Sequence, residues 1–150
     1  MQPVSWGQTQ IVDASNLFVF LAKKNFGAED VDNYVNLKAD TMGMDASELQ
    51  GYADFAKGKL QEFPEDMYKQ WTSKQAYIAM GNLMTAAAEL HIDTCPMEGF
   101  EPEKYDEILG LNDTDYTAAV VVTLGYRSDE DPTKDGPKIR KSNEQLFETV

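Results

Sequence analysis

The stretch "AYIAMGNLMTAAA", residues 76–88, constrains this chain more than any other. Its only polar side chains are Asn82 and Thr85. A helix that is apolar all round must be covered all round, inside a large core or at a subunit interface. Gly81 and the run Ala86, Ala87, Ala88 leave room for another backbone to approach closely. The surrounding pattern extends the helix from Pro64 to about His91. Glu65 and Asp66 lie at its positive end, and Met67 and Trp71 are one turn apart. This segment reads as a central interface helix.

The rest of the chain must supply what that helix packs against. "NLFVFLAKK" (Asn16–Lys24) is a continuous apolar run stopped by two lysines, as in a strand covered on both faces. "TAAVVVTLGY" (Thr117–Tyr126) is the strongest strand, β-branched and buried. Two strands do not make a self-sufficient sheet, so a short strand is hidden near Ile92–Cys95 or part of the sheet comes from elsewhere. Residues 7–15 are polar and irregular.

Between the strands the apolar period is helical. A helix begins at Ala28, with Val31, Tyr34, Val35 and Met42 at helical spacing, and Gly43 stops it. A second opens at "DASE", where Asp45 caps and Glu48 completes a capping box. Leu49, Ala53, Ala56, Leu60 and Phe63 then form one narrow stripe. "EPEKYDEILG" (Glu101–Gly110) is a short helix with Tyr105, Ile108 and Leu109 inward and Gly110 as its C-cap. The order strand, three helices, short helix, strand, tail makes the fold class α+β, in one domain over residues 1–150.

Composition removes several functions. The 13 basic and 26 acidic residues leave a net charge of −13, which disfavours nucleic acid and anionic membranes as partners. One cysteine, Cys95, excludes an internal disulfide and suits a reducing compartment, so a cytoplasmic location is expected. One histidine and one cysteine cannot build a zinc site, and "SDEDP" lacks the order of a calcium loop. His91 and Cys95 are four apart with no third group to orient the imidazole, so both read as structural. No glycine-rich nucleotide loop is present.

Two features are left over. "CPMEGF" (Cys95–Phe100) contains Gly99, whose missing Cβ allows close approach to the backbone. Pro96 has no N–H, so free donors begin at Met97, Glu98 and Gly99. A structural turn is the commoner use of such residues, and a strip facing a planar heteroaromatic ring is the other. The second feature is charge: five of the 13 basic residues, Arg127, Lys134, Lys138, Arg140 and Lys141, crowd into the tail. They either pair with the nearby "SDEDP" or hold an anion.

Four blocks bring these features together: "QIVDASNLFVF" (10–20), "KQAYIAMGNLMTAAAELHIDTCPMEGF" (74–100), "YTAAVVVTLGYRSDED" (116–131) and "PKIRKS" (137–142). In this order and spacing the chain resembles the nitroreductase family, in its oxygen-insensitive NAD(P)H nitroreductase and dihydropteridine reductase branch. The resemblance implies a central sheet flanked by helices and an FMN-containing homodimer. Its interface would be the long helix 64–91, with the C-terminal tail crossing to the partner so that Leu146 and Phe147 are packed.

It further implies that the backbone amides of Glu98 and Gly99 meet the flavin, and that Lys138 and Arg140 bind its phosphate. NAD(P)H is the implied electron donor and a nitroaromatic, quinone or similar small molecule the acceptor. No catalytic side chain is implied, because the flavin carries the chemistry. Two family features are missing: an N-terminal "R-x-S-x-R" helix and a "P-S-x-x-N-x-Q-P-W" segment. Gly7 also stands where relatives often have asparagine. The chain therefore reads as N-terminally truncated, covering roughly the C-terminal two-thirds of the family domain. The alternative is a non-catalytic fragment, at most a dimerisation or weak flavin-binding module.

Overall fold

A β-branched run such as Ala118 to Leu124 is stable when both its pleated faces are buried. The computed structural model, which describes residues 1–64 and 67–150, gives the run that place. Strand β3 (Tyr116–Gly125) is the centre of a three-stranded antiparallel sheet. On one side it pairs with β1 (Asn16–Lys23) and on the other with β2 (Asp93–Met97). The third strand expected near Ile92–Cys95 is therefore β2. Its Pro96 is opposite Val122, and an edge strand tolerates the donor that proline lacks.

Successive β3 side chains point to opposite faces. Val121 joins Ile11, Met97, Phe100, Tyr105 and Ala118 in one cluster. Val122 and Leu124 join Ala87 in another, with Phe20, Met80, Leu83, Met84 and Ile92 packed around it. The first face is closed by helix α5 (Pro102–Leu109) and the short helix α1 (Gln10–Asp13), the latter inside a stretch expected to be irregular. The second face is closed by the long helix α4 (Met67–Glu89).

Helices α2 (Ala28–Met42) and α3 (Gln50–Gln61) form a third cluster with the first turns of α4. The stripe Leu49, Ala53, Ala56, Leu60 and Phe63 all lies in it. Asp45 and Glu48 form the expected capping box, but on a 3₁₀ turn (Ala46–Leu49) that leads into α3. Gly43 and Gly110 end α2 and α5 in the left-handed conformation. His91 occupies the same region after α4, at φ 55°. The expectation for Glu65 and Asp66 falls outside the described residues.

Two burial expectations are corrected. β1 is an edge strand in this chain and leaves Phe18 and Leu21 partly exposed, because only β3 pairs with it. Within this chain the middle of α4 is covered on its sheet side, and Ile78 is left 58% exposed. In α5, Tyr105 is buried as expected but Ile108 and Leu109 face outward. Asp106 takes the inner position and accepts the Ala118 N–H at 2.8 Å. That bond lies beside the point where the β1–β3 register skips Ala119; a backbone donor next to a bulge needs an acceptor from outside the ladder.

The tail after β3 is irregular up to the short helix α6 (Asn143–Leu146), and Leu146 and Phe147 are exposed. No helix among the described residues is long and apolar enough to cross a membrane.

Candidate functional site

Strand β2 carries chemistry at both ends. Beyond its C-terminal end, Glu98 and Gly99 precede Phe100, which is buried with its ring 4.7 Å from that of Tyr105. This anchor turns the chain into α5 and leaves the Glu98–Gly99 backbone at the edge of the sheet. Among the described residues, neither the Glu98 nor the Gly99 N–H has a protein acceptor.

The N-terminal turn braces this strip from one side. Gln8 donates from Nε2 to the Gly99 carbonyl at 2.8 Å and to the Ser5 carbonyl at 3.0 Å. The Glu101 N–H donates to the Val4 carbonyl at 2.9 Å, and Ser5 Oγ is 2.7 Å from the Tyr105 hydroxyl. The close approach that Gly99 permits is made by the chain's own Trp6: a Cβ at residue 99 would lie 2.9 Å from Trp6 Cε3 and 3.0 Å from Gln8 Nε2.

From the other side, α4 brings the Tyr77 hydroxyl to the Glu98 carboxylate, to which it donates a hydrogen bond. Burial and this bond together push the Tyr77 phenol up to about 12 from its ordinary 10.0. The folded state therefore keeps the proton longer than the unfolded state does. The stability this contributes is present below pH 10 and lost between about pH 10 and 12. In ultraviolet titrations, the difference between wild type and Tyr77→Phe should be a phenol that ionises near pH 12. A difference centred near pH 10 would contradict the contact.

At the other end of β2 lies a cleft of about 780 Å³, bounded by Asp93, Cys95, Tyr126, Arg127, Lys134 and Lys138 among others. Two of the five tail cations are engaged internally. Arg127 forks onto Asp93, with Nη2 donating to Oδ1 at 2.6 Å, and holds that carboxyl below its ordinary range. Lys134 pairs with Asp129 of "SDEDP" at 3.3 Å. Among the described residues, Lys138, Arg140 and Lys141 have no carboxylate within ion-pair distance. Lys138 borders the cleft; Arg140 is exposed outside it and donates only to the neighbouring Ile139 carbonyl, at 2.7 Å.

Glu98 and Gly99 thus lie together at one end of the strand, with Lys138 beyond the other. Asp93 and Glu98 are five residue steps apart, about 16 Å along the extended chain. His91 is exposed at the end of α4. Cys95 is half-buried, and burial raises its thiol above the ordinary range, the opposite of an activated nucleophile. The site residues that sequence reasoning missed are Trp6, Gln8 and Tyr77. Only the tryptophan gave a signal, as a lone large aromatic in a polar stretch before Gly7.

A three-stranded antiparallel sheet clad by helices defines an α+β chain, with unengaged backbone donors at one end of β2 and Lys138 beyond the other. The Nitroreductase family model matches residues 1–126, and the chain belongs to that family. A "Putative NAD(P)H nitroreductase" from Staphylococcus haemolyticus is 36% identical over the whole chain and 71% of its own length. A Haemophilus influenzae protein of the same description is 40% identical over 85% of this chain. This chain spans 62% of the length of that second relative.

Among solved structures, a nitroreductase-like protein from Streptococcus mutans superposes with a TM-score of 0.82 at 19% identity, covering 99% of this chain and 69% of its own. A "putative nitroreductase in complex with FMN" from Exiguobacterium sibiricum gives 0.78 at 17% identity, covering 98% of this chain and 68% of its own. The fold is that of the nitroreductases.

Proposed function

We propose that this chain is an NAD(P)H-dependent FMN oxidoreductase that reduces nitroaromatics, quinones or related small acceptors. The observation that carries this reading is the pair of unengaged N–H groups at Glu98 and Gly99, on a backbone fixed from both sides. Two adjacent amide donors on a preorganised strip suit the acceptor edge of a planar heteroaromatic ring. The FMN complex of the Exiguobacterium sibiricum relative supports the choice of ring.

When bound, FMN would supply the redox chemistry between the nicotinamide donor and the acceptor. The residues of this chain bind and orient. Glu98 and Gly99 donate through their backbone to the ring edge. Tyr77 holds the Glu98 carboxylate aside by its hydrogen bond, which keeps the strip's conformation fixed. Lys138 and Arg140 hold the phosphate, for which a forked guanidinium and a point-charge ammonium complement each other. No acid or base on the protein is assigned a step.

The same reading makes the chain a homodimer through α4 and the tail. Ile78 on α4, Leu90 just after it, and Leu146 and Phe147 in the tail are exposed apolar groups, and a second copy would cover them. The test is to purify the 150-residue chain, add FMN and separate by gel filtration. The expected result is yellow protein at the dimer volume that reduces a nitrofuran with NADH or NADPH. Colourless protein without activity would reject the reading in favour of a non-catalytic module.

A further inference from the structure

We propose that Trp6 is the aromatic wall of the ring site, a positioning residue on whose indole the bound flavin ring lies. This rests on the assignment of the ring to Glu98 and Gly99, and three observations on Trp6 carry it further.

The first is contact. A Cβ on residue 99 would sit 2.9 Å from Trp6 Cε3 and 3.0 Å from Cζ3, so the indole edge abuts the backbone whose N–H groups are unengaged. A ring receiving those donors is thereby brought next to the indole.

The second is conformation. Trp6 has φ 55° and the following Gly7 has φ 73°. A non-glycine residue in the left-handed region is strained, and the surrounding bonds must hold it there. Those bonds are present: the Ser5 N–H and the Gly7 N–H both donate to the Gln2 carbonyl, at 3.0 and 3.1 Å. Gln8 ties the next turn to Gly99.

The third is exposure. The Trp6 side chain is held by a tightly bonded turn, yet the residue is 74% exposed. Core packing therefore does not explain its position, and the remaining face of the indole is open beside the strip. A large, rigid, amphipathic ring with few rotatable bonds is suited to stacking on a planar ligand.

The test compares FMN with riboflavin, which shares the ring but lacks the phosphate. Titrations of wild type, Trp6→Ala, Trp6→Phe and Trp71→Phe follow affinity and the emission of bound flavin. Stacking on an indole quenches flavin emission, so bound flavin is expected to be dark in the wild type and in Trp71→Phe. In Trp6→Ala, affinity should fall roughly tenfold to a hundredfold, by the same factor for both ligands, and the bound fraction should become emissive. Trp6→Phe should restore most of the affinity. Circular dichroism reports whether each variant is folded. Dark, undiminished binding by folded Trp6→Ala overturns the proposal while leaving the ring assignment standing. If the wild type binds neither FMN nor riboflavin, the ring assignment falls and Trp6 with it. A loss for FMN but not for riboflavin would place Trp6 at the phosphate and overturn the stacking role.

Discussion

Replacing Lys138 and Arg140 together by alanine is expected to weaken FMN binding roughly a hundredfold and to leave riboflavin binding unchanged. A charge-assisted hydrogen bond contributes about 1.5–3 kcal/mol, and two at the lower end, appropriate to exposed side chains, come to about 3 kcal/mol. The choice of these two cations comes from the family resemblance, and the pairing pattern is compatible with it. Arg127 is committed to Asp93 and Lys134 to Asp129, so neither is free to neutralise a dianion without first breaking an ion pair. Lys134→Ala should accordingly have a much smaller effect. Calorimetric titration at low and high salt checks the electrostatic origin, since the deficit of the double variant should shrink as screening increases. Equal affinities, or an equal loss for riboflavin, would reject the phosphate assignment.

The second large effect is on stability. Tyr105→Ala should lower the unfolding free energy by about 3–5 kcal/mol. Tyr105 is fully buried, in a cluster formed by Ile11, Met97, Phe100, Ala118 and Val121. Removing its ring opens a cavity there and frees Phe100, the anchor next to Gly99. Tyr105→Phe keeps the ring and removes only the bond to Ser5 Oγ. The Ser5 hydroxyl keeps its bond to the Met1 carbonyl at 3.0 Å, so the loss should be about 1 kcal/mol. Urea denaturation of the three proteins gives the comparison. A Tyr105→Ala midpoint close to that of Tyr105→Phe would show that the ring is not a core element.

How much of this was legible in the sequence depended on the range of the interaction. β1, β3, α2 and the α3 stripe follow from apolar period and stop signals, which are local. So do Gly43 and Gly110, because a helix ending in a left-handed residue is written within a few positions. β2 was only half visible: five residues containing a proline give too little alternation, and its place is set by the pairing of Cys95 with Thr123. The inward turn of Asp106 was hidden for the same reason, since its acceptor role answers a bulge in another strand.

At the site, the missing Cβ of Gly99 marks a backbone position open to close approach. The body making the approach in the structure is Trp6, 93 positions earlier by the numbering; no local pattern could name it. Glu98, Lys138 and Arg140 came from resemblance to a family, not from spacing. The structure adds their surroundings: Tyr77 against Glu98, the cleft beside Lys138 and an exposed Arg140.

The bonds bracing the Glu98–Gly99 strip also bear on how the chain folds. Gln8 to Gly99 and Ser5 to Tyr105 join residues 91 and 100 positions apart. Closing a loop of that length costs about 4 kcal/mol of chain entropy before any contact compensates it. During synthesis, the partners that Val4, Ser5 and Gln8 bond on the β2–α5 segment emerge 91 to 100 residues after them. The strip is therefore completed late, and its rate of formation is set by the return of the N-terminal turn. In a refolding experiment, quenching of flavin emission would lag behind the recovery of helical signal, reporting when residues 5–8 meet the β2–α5 segment.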